Sequence, residues 1–187
     1  MIKGNIINLI PAALDDRQKI YDWCFFSETS KSHFGAPNYP DMVAPTFEEF
    51  YDEYVPYFFD GSQPSKGSGY MIALDEEPIG FISYCSFHLK EHKSELDLWI
   101  NLEKNCSKGF GTDAIISLGD YIGKTLGISE LIMRPSIKNP RAINSYKKAG
   151  FIESDKKPDE YLLDEYVSVY GDGDYGPEET VLLIKQL

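Results

Sequence analysis

The sequence is short of positive charge, of cysteine and of long apolar runs, and each shortage removes a class of function. Eighteen Lys and Arg stand against 30 Asp and Glu, a formal net charge of −12. A surface this acidic repels polyanions, so nucleic acid is not an expected partner. No stretch of 18 or more apolar residues occurs, so no membrane span is expected. The opening Met1-Ile2-Lys3-Gly4-Asn5 has neither the apolar run nor the small-residue cleavage site of a secretory leader. Cys24, Cys85 and Cys106 are odd in number, far apart and without metal-ligand spacing. They read as reduced thiols, which points to the cytoplasm. His33, His88 and His92 are scattered, and the polar turn Leu89-Lys90-Glu91 between the last two speaks against a helical metal pair, so no metal is expected. No Ser/His/Asp arrangement suggests hydrolase chemistry.

What is present suits one domain over residues 1–187, as a monomer or homodimer, with 42% hydrophobic residues to build its core. Leu14 to Phe26 reads as a helix, and Thr46 caps a second that runs from Glu48 toward Phe58. Tyr70–Leu74 and Ile79–Phe87 read as strands joined by the turn Asp75-Glu76-Glu77-Pro78. From Glu95 to Leu102 the chain alternates, with Leu96, Leu98, Ile100 and Leu102 on one face and Glu95, Asp97, Trp99 and Asn101 on the other. Thr112–Leu126 carries apolar residues at helical spacing and stops at Gly127. A short strand, Leu131–Met133, precedes a helix that begins at Pro140 and ends at Gly150. Tyr161–Tyr170 and Thr180–Ile184 are read as closing strands. The plan is mixed α/β, with a parallel strand pair bridged by the helix 112–126.

Between the alternating strand and that helix lies Ser107-Lys108-Gly109-Phe110-Gly111-Thr112. Glycines there allow a tight turn that aims successive N–H groups at an anion, and the helix adds its positive end. Two glycines at this spacing also make a plain turn, and they match neither a Walker loop nor the dinucleotide fingerprint. A second segment follows the next strand: Asn139-Pro140-Arg141-Ala142-Ile143-Asn144-Ser145-Tyr146-Lys147-Lys148-Ala149-Gly150-Phe151.

With both motifs in this order, the chain resembles the GNAT superfamily of acetyl-CoA-dependent N-acetyltransferases, and within it the aminoglycoside 6′-N-acetyltransferases. The resemblance spans about Gly67 to Phe151. It implies a central, mostly antiparallel sheet splayed at a parallel strand pair and flanked by helices. It also implies acetyl-CoA as co-substrate, held by the loop Ser107, Lys108, Gly109, Phe110, Gly111 and Thr112. Further contacts would come from the backbone near Leu98, Trp99 and Ile100, and from Asn139 and Lys147. Two departures stand out: Cys106 where the family has Gln or Arg, and Arg134 where the aminoglycoside group has Asp before Pro135.

The resemblance places Asp97 as base or amine anchor and Tyr146 as proton donor to the departing thiolate. Read from the residues alone, Asp97 faces solvent on a half-buried strand, Tyr146 is a core residue of an amphipathic helix, and Asn139 is a helix cap. The implied reaction moves acetyl directly to a primary amine, for which the acidic surface favours a polycationic small molecule such as an aminoglycoside. A peptide N-terminus or polyamine as acceptor, or an acetyl-CoA sensor without catalysis, are the alternatives.

Overall fold

The computed structural model describes residues 1–187, and its eight strands form one sheet. The strands are β1 (Ile2–Lys3), β2 (Asn8–Pro11), β3 (Gly67–Leu74), β4 (Glu77–Cys85), β5 (Lys93–Ile100), β6 (Glu130–Met133), β7 (Ile152–Glu153) and β8 (Leu183–Gln186). Their order across the sheet is β1-β2-β3-β4-β5-β6-β8-β7. Every neighbouring pair is antiparallel except β5–β6. The helices are α1 (Arg17–Phe26), α2 (Phe47–Glu53), α3 (Tyr57–Asp60), α4 (Phe110–Leu126), α5 (Pro140–Lys148), α6 (Pro158–Tyr161) and α7 (Asp164–Tyr170). None is long and apolar enough to cross a membrane.

The two faces of the sheet bury different chemistry. On one, the aliphatic residues Ala114, Ile115, Leu118 and Ile122 of α4 pack on Ile72, Ile82, Leu96 and Leu131. On the other, α1, α2 and α3 set Phe50, Phe58 and Phe59 against Phe81 and Trp99. The alternation expected for β5 accounts for this split: Leu96 and Ile100 face the aliphatic layer while Trp99 faces the aromatic one.

Local chemistry sets the element ends. Asp75 and Glu76 both take positive φ (48° and 70°), so the β3–β4 hairpin closes on two residues, the backbone of a primed turn built without glycine. Thr46 caps α2 in a capping box with Glu49, and Pro56 separates α2 from α3 where the sequence suggested one continuous helix. Helix α4 begins at Phe110, two residues before the expected start.

The closing strand read at Tyr161–Tyr170 is instead the helix pair α6–α7. Pro158 and the acidic first turns of Asp159-Glu160 and Asp164-Glu165 are helix-start signals. The aromatic residues there repeat at four, with Tyr166 and Tyr170 in contact, rather than at two. The last strand is shifted from Thr180–Ile184 to Leu183–Gln186. Three strands were not legible in the sequence, β1, β2 and β7. The second of these is held from outside its own span: Asp113 of α4 accepts the backbone N–H groups of Asn5 (3.1 Å), Ile6 (2.8 Å) and Ile7 (3.1 Å).

Candidate active site

Strand β5 is paired on both sides only at its start. Toward β6 the register runs Lys93–Glu130, Ser94–Leu131 and Glu95–Ile132, and then stops. Toward β4 it continues to Gly80–Ile100. The Asn101 N–H goes to the Ile79 carbonyl (2.9 Å), so residues 95, 97 and 99 spend their backbone groups on β4 by alternation. Leu98 and Ile100 therefore turn theirs into the gap left by β6. One of those groups, the Ile100 carbonyl, accepts the hydroxyl of Thr29. Trp99 has its backbone in the β4 ladder and its side chain buried among the aromatic residues, 4% exposed.

The glycine loop closes the far end of this gap. Gly109 has φ +87° and Ser107 has φ +59°, so the chain turns left-handed immediately before α4. The first helical hydrogen bond runs from the Asp113 N–H to the Gly109 carbonyl (2.9 Å). The six amides of Ser107, Lys108, Gly109, Phe110, Gly111 and Thr112 donate to nothing in the protein. They converge at a helix N-terminus, where the dipole adds positive potential. Gly111 lies against Leu98, so that an added Cβ would sit 3.5 Å from its side chain. Phe110 is buried in the aliphatic core. Thr112 Oγ1 meets Ser145 Oγ (3.0 Å), fixing the loop to α5.

The gap opens into a cavity of about 1640 Å³, whose walls include the loop, Asp97, Tyr146 and Asn139. Lys108 and Lys147 do not line it, whereas Arg141 and Lys148 do. Lys147 is exposed and paired with Glu153 (2.6 Å). Asn139 Oδ1 accepts the Ala142 N–H (3.1 Å) as the cap of α5. Arg141 forms a two-pronged pair with Glu103 (2.6 and 3.2 Å) and reaches Ser32 (3.0 Å), tying α5 to the loop that follows α1.

Asp97 projects from β5 into the cavity, open to its water but surrounded by protein. Burial pushes its carboxyl up to about 7, and the nearby Asp174 and Glu95 add to the rise. The Tyr54 hydroxyl donates to Asp97 Oδ2 (2.7 Å). Glu95, two residues earlier on the same face, meets the opposite fate. Burial opposes its ionisation too, yet Arg134 (2.6 and 2.8 Å) and His88 (2.8 Å) bring it down to about 2. Arg134 also donates to the carbonyl of Tyr170, anchoring the end of α7. The segment after α7 carries Asp174 and Tyr175 into the cavity, where burial raises both.

Tyr146 is 7% exposed and borders the cavity, and its hydroxyl makes no hydrogen bond within the protein. Burial, reinforced by Asp97, raises its pKa and keeps it protonated. Sequence reasoning named Asp97 and Tyr146, which the structure brings into one cavity. It missed Tyr54, Glu95, Arg134, Asp174 and Tyr175. Only Arg134 left a trace, as the residue departing from its group's pattern.

A sheet split at its one parallel pair, with free amides at the end of the split and a carboxylate and tyrosine inside it, defines an acyl-transfer architecture. The chain matches the family described as the acetyltransferase (GNAT) domain over residues 7–152. It belongs to that family of acetyltransferases. No curated protein matches the chain. Solved structures share the fold at low identity. The aminoglycoside acetyltransferase AAC(6′)-Ib, in complex with paromomycin and acetyl-CoA, is 16% identical with a TM-score of 0.69, covering 97% of this chain and 94% of that one. A spermidine N-acetyltransferase from Vibrio cholerae, in complex with CoA and spermine, is 17% identical with a TM-score of 0.64, covering 98% and 96%. An acetyltransferase from Agrobacterium tumefaciens is 18% identical with a TM-score of 0.67, covering 100% and 94%.

Proposed function

We propose that this chain, as a single domain, transfers acetyl directly from acetyl-CoA to a primary amine of a small polycationic molecule. The observation that carries the reading is the run of six unpaired amides at Ser107–Thr112, set at the open end of the β5 gap that leads to Asp97 and Tyr146. The loop amides suit a pyrophosphate, and the backbone groups of Leu98 together with the Ile100 N–H, whose carbonyl is taken by Thr29, suit the amide-bearing arm behind it. Acetyl-CoA supplies the activated thioester. The other tasks fall to side chains.

Asp97 takes the proton that a cationic amine must lose before it attacks the carbonyl carbon. A lysine-like ammonium has a pKa of about 10, so an ordinary carboxylate near 3.9 is mismatched by roughly six units. With Asp97 at about 7 the mismatch narrows to roughly three. The Leu98 N–H lies along the gap where it can face the carbonyl oxygen as charge develops there. As the carbon–sulfur bond breaks, Tyr146 donates its proton to the sulfur and is restored through water by the proton held on Asp97. The second proton, lost by the nitrogen as the amide forms, passes to the freed Asp97 carboxylate and on to solvent.

Glu53, Asp97 and Asp174 line the cavity and form no salt bridge, among aromatic walls that include Tyr54 and Tyr175. Such a lining favours an acceptor with more than one ammonium group. The test is release of free thiol from acetyl-CoA on addition of aminoglycosides, polyamines or peptide amines. The proposal expects turnover with a polycationic acceptor and weaker turnover with peptides. Binding of acetyl-CoA with no thiol release across the panel would instead indicate a sensor.

A further inference from the structure

We propose that Tyr54 is the positioning residue for Asp97, holding one carboxylate oxygen through its hydroxyl so that the other is presented to the incoming amine. The inference builds on the reading of Asp97 as proton acceptor and assigns a role to a residue outside the family's two motifs.

Placement of the hydroxyl is over-determined. Tyr54 follows α2, and its N–H still bonds to the Phe50 carbonyl (2.9 Å). Its ring stacks on Phe50 (4.7 Å between centroids, 23°), leans on Phe58 (5.4 Å), and meets Phe81 and Trp99 edge-on (5.9 and 6.2 Å). From that socket the hydroxyl reaches Asp97 Oδ2 at 2.7 Å, and Asp97 has no other side-chain donor. A supporting residue locked by packing is what holds a reacting group in one orientation.

The strand carries its own control. Glu95 receives a guanidinium and an imidazole, and its charge is quenched by a salt bridge. Asp97 receives a neutral phenol. A neutral donor fixes geometry while leaving most of the carboxylate's proton affinity in place, whereas a cation would abolish it. The groups facing Asp97 from the packed elements are Tyr54 after α2, Cys24 of α1, Cys85 of β4, Tyr146 of α5, and Asp174 and Tyr175 after α7. Glu95 lies on its own strand, with Arg134 and His88 behind it. None of them is a cation paired with Asp97, so the phenol is the side chain that tunes and orients it, alongside the weaker influence of the Leu98 backbone N–H.

The hydrogen bond stabilises the ionised form, so its loss raises the proton affinity of Asp97. Tyr54→Phe keeps the ring and its packing and removes only the hydroxyl. Two readouts apply, the side-chain carboxyl carbon-13 titration of aspartate-labelled protein, with Asp97 assigned by its loss in Asp97→Asn, and the pH profile of kcat. In Tyr54→Phe, Asp97 is expected to titrate about one unit higher, and the acid limb of the profile to move with it. At pH 7 the ionised fraction then falls from about one half to about one tenth, a loss of roughly fivefold in kcat that closes above pH 9. The acetyl-CoA KM and the Tm stay near wild type. An unchanged Asp97 titration in Tyr54→Phe overturns the proposal, as does an unmoved kcat profile in an enzyme that Asp97→Asn disables. Full activity of Asp97→Asn, with a shifted titration in Tyr54→Phe, instead sinks the reading of Asp97 as base and leaves Tyr54 as the residue that positions it.

Discussion

Glu95 and Asp97 sit on the same face of one strand, Glu95 half-buried and Asp97 open to the cavity, yet one is held at about 2 and the other at about 7. Their partners make the difference: Arg134 and His88 for the first, Tyr54 for the second. Asp97→Asn should lower kcat by about 100-fold or more while leaving the acetyl-CoA KM within about twofold, as measured by steady-state thiol release. The same substitution should change stability with a definite sign. A folded-state value above the unfolded one means that between about pH 4 and pH 7 the folded protein holds a proton the unfolded chain has released. Stability is therefore lost as pH rises through that window, and the loss is complete above pH 7. Asp97→Asn should raise Tm by a few degrees at pH 8 and leave it unchanged at pH 4, by calorimetry at both values. The type and side of Asp97 were legible from the alternation of β5. Its partner was not, because Tyr54 lies 43 positions away at the end of a helix whose spacing does not say which strand it meets.

At the scale of elements, α4 is tied to the start of the chain by a single side chain. Asp113 is 5% exposed and satisfies three consecutive N–H groups, which aligns the entry to β2 beside the glycine loop. Asp113→Ala should cost about 3 kcal/mol, since it strands three donors of which at least one is fully buried. The expected signature is a lower denaturant midpoint at unchanged m-value. Periodicity found β3, β4, β5, β6, α4 and α5, where apolar spacing is strong and Gly, Pro or Asn marks the ends. It could not find β1 and β2, which span two and four residues and flank the segment this distant carboxylate holds, nor β7, two residues that exist as a strand only by pairing with β8. It misread α6–α7 because Tyr161 and Leu162 are both buried in a small cluster with Leu89 and Ile132, so adjacent apolar residues mimic a buried strand.

Across the whole molecule the excess of acid is concentrated by the fold. Arg134 neutralises Glu95, but Glu53, Asp97 and Asp174 remain without a salt bridge in one cavity, within a chain of net charge −12. Raising ionic strength from about 20 mM to about 200 mM should lower kcat/KM severalfold for a polycationic acceptor and much less for a monoamine. Stopped-flow thiol detection at both salt concentrations checks this. Loops that sequence composition marked only as irregular close over the cavity from both sides: Phe34 stacks on Tyr175 (5.9 Å), and Tyr39 contacts Tyr175 (5.3 Å) and bonds to Ser136. Such contacts join residues far apart in sequence and have no periodic signature.

The termination of β5–β6 pairing at Glu95 also acts as a gauge. Arg134 pins the split at that residue, and the strand beyond it runs five steps to Ile100, about 16 Å at 3.3 Å per residue. Asp97 lies three of those steps from Ile100, about 10 Å, so an acyl donor threaded along the gap from Ile100 must carry an arm of at least that length for its carbonyl to arrive beside Asp97. Donors on shorter carriers, though equally activated, would stop short of Asp97.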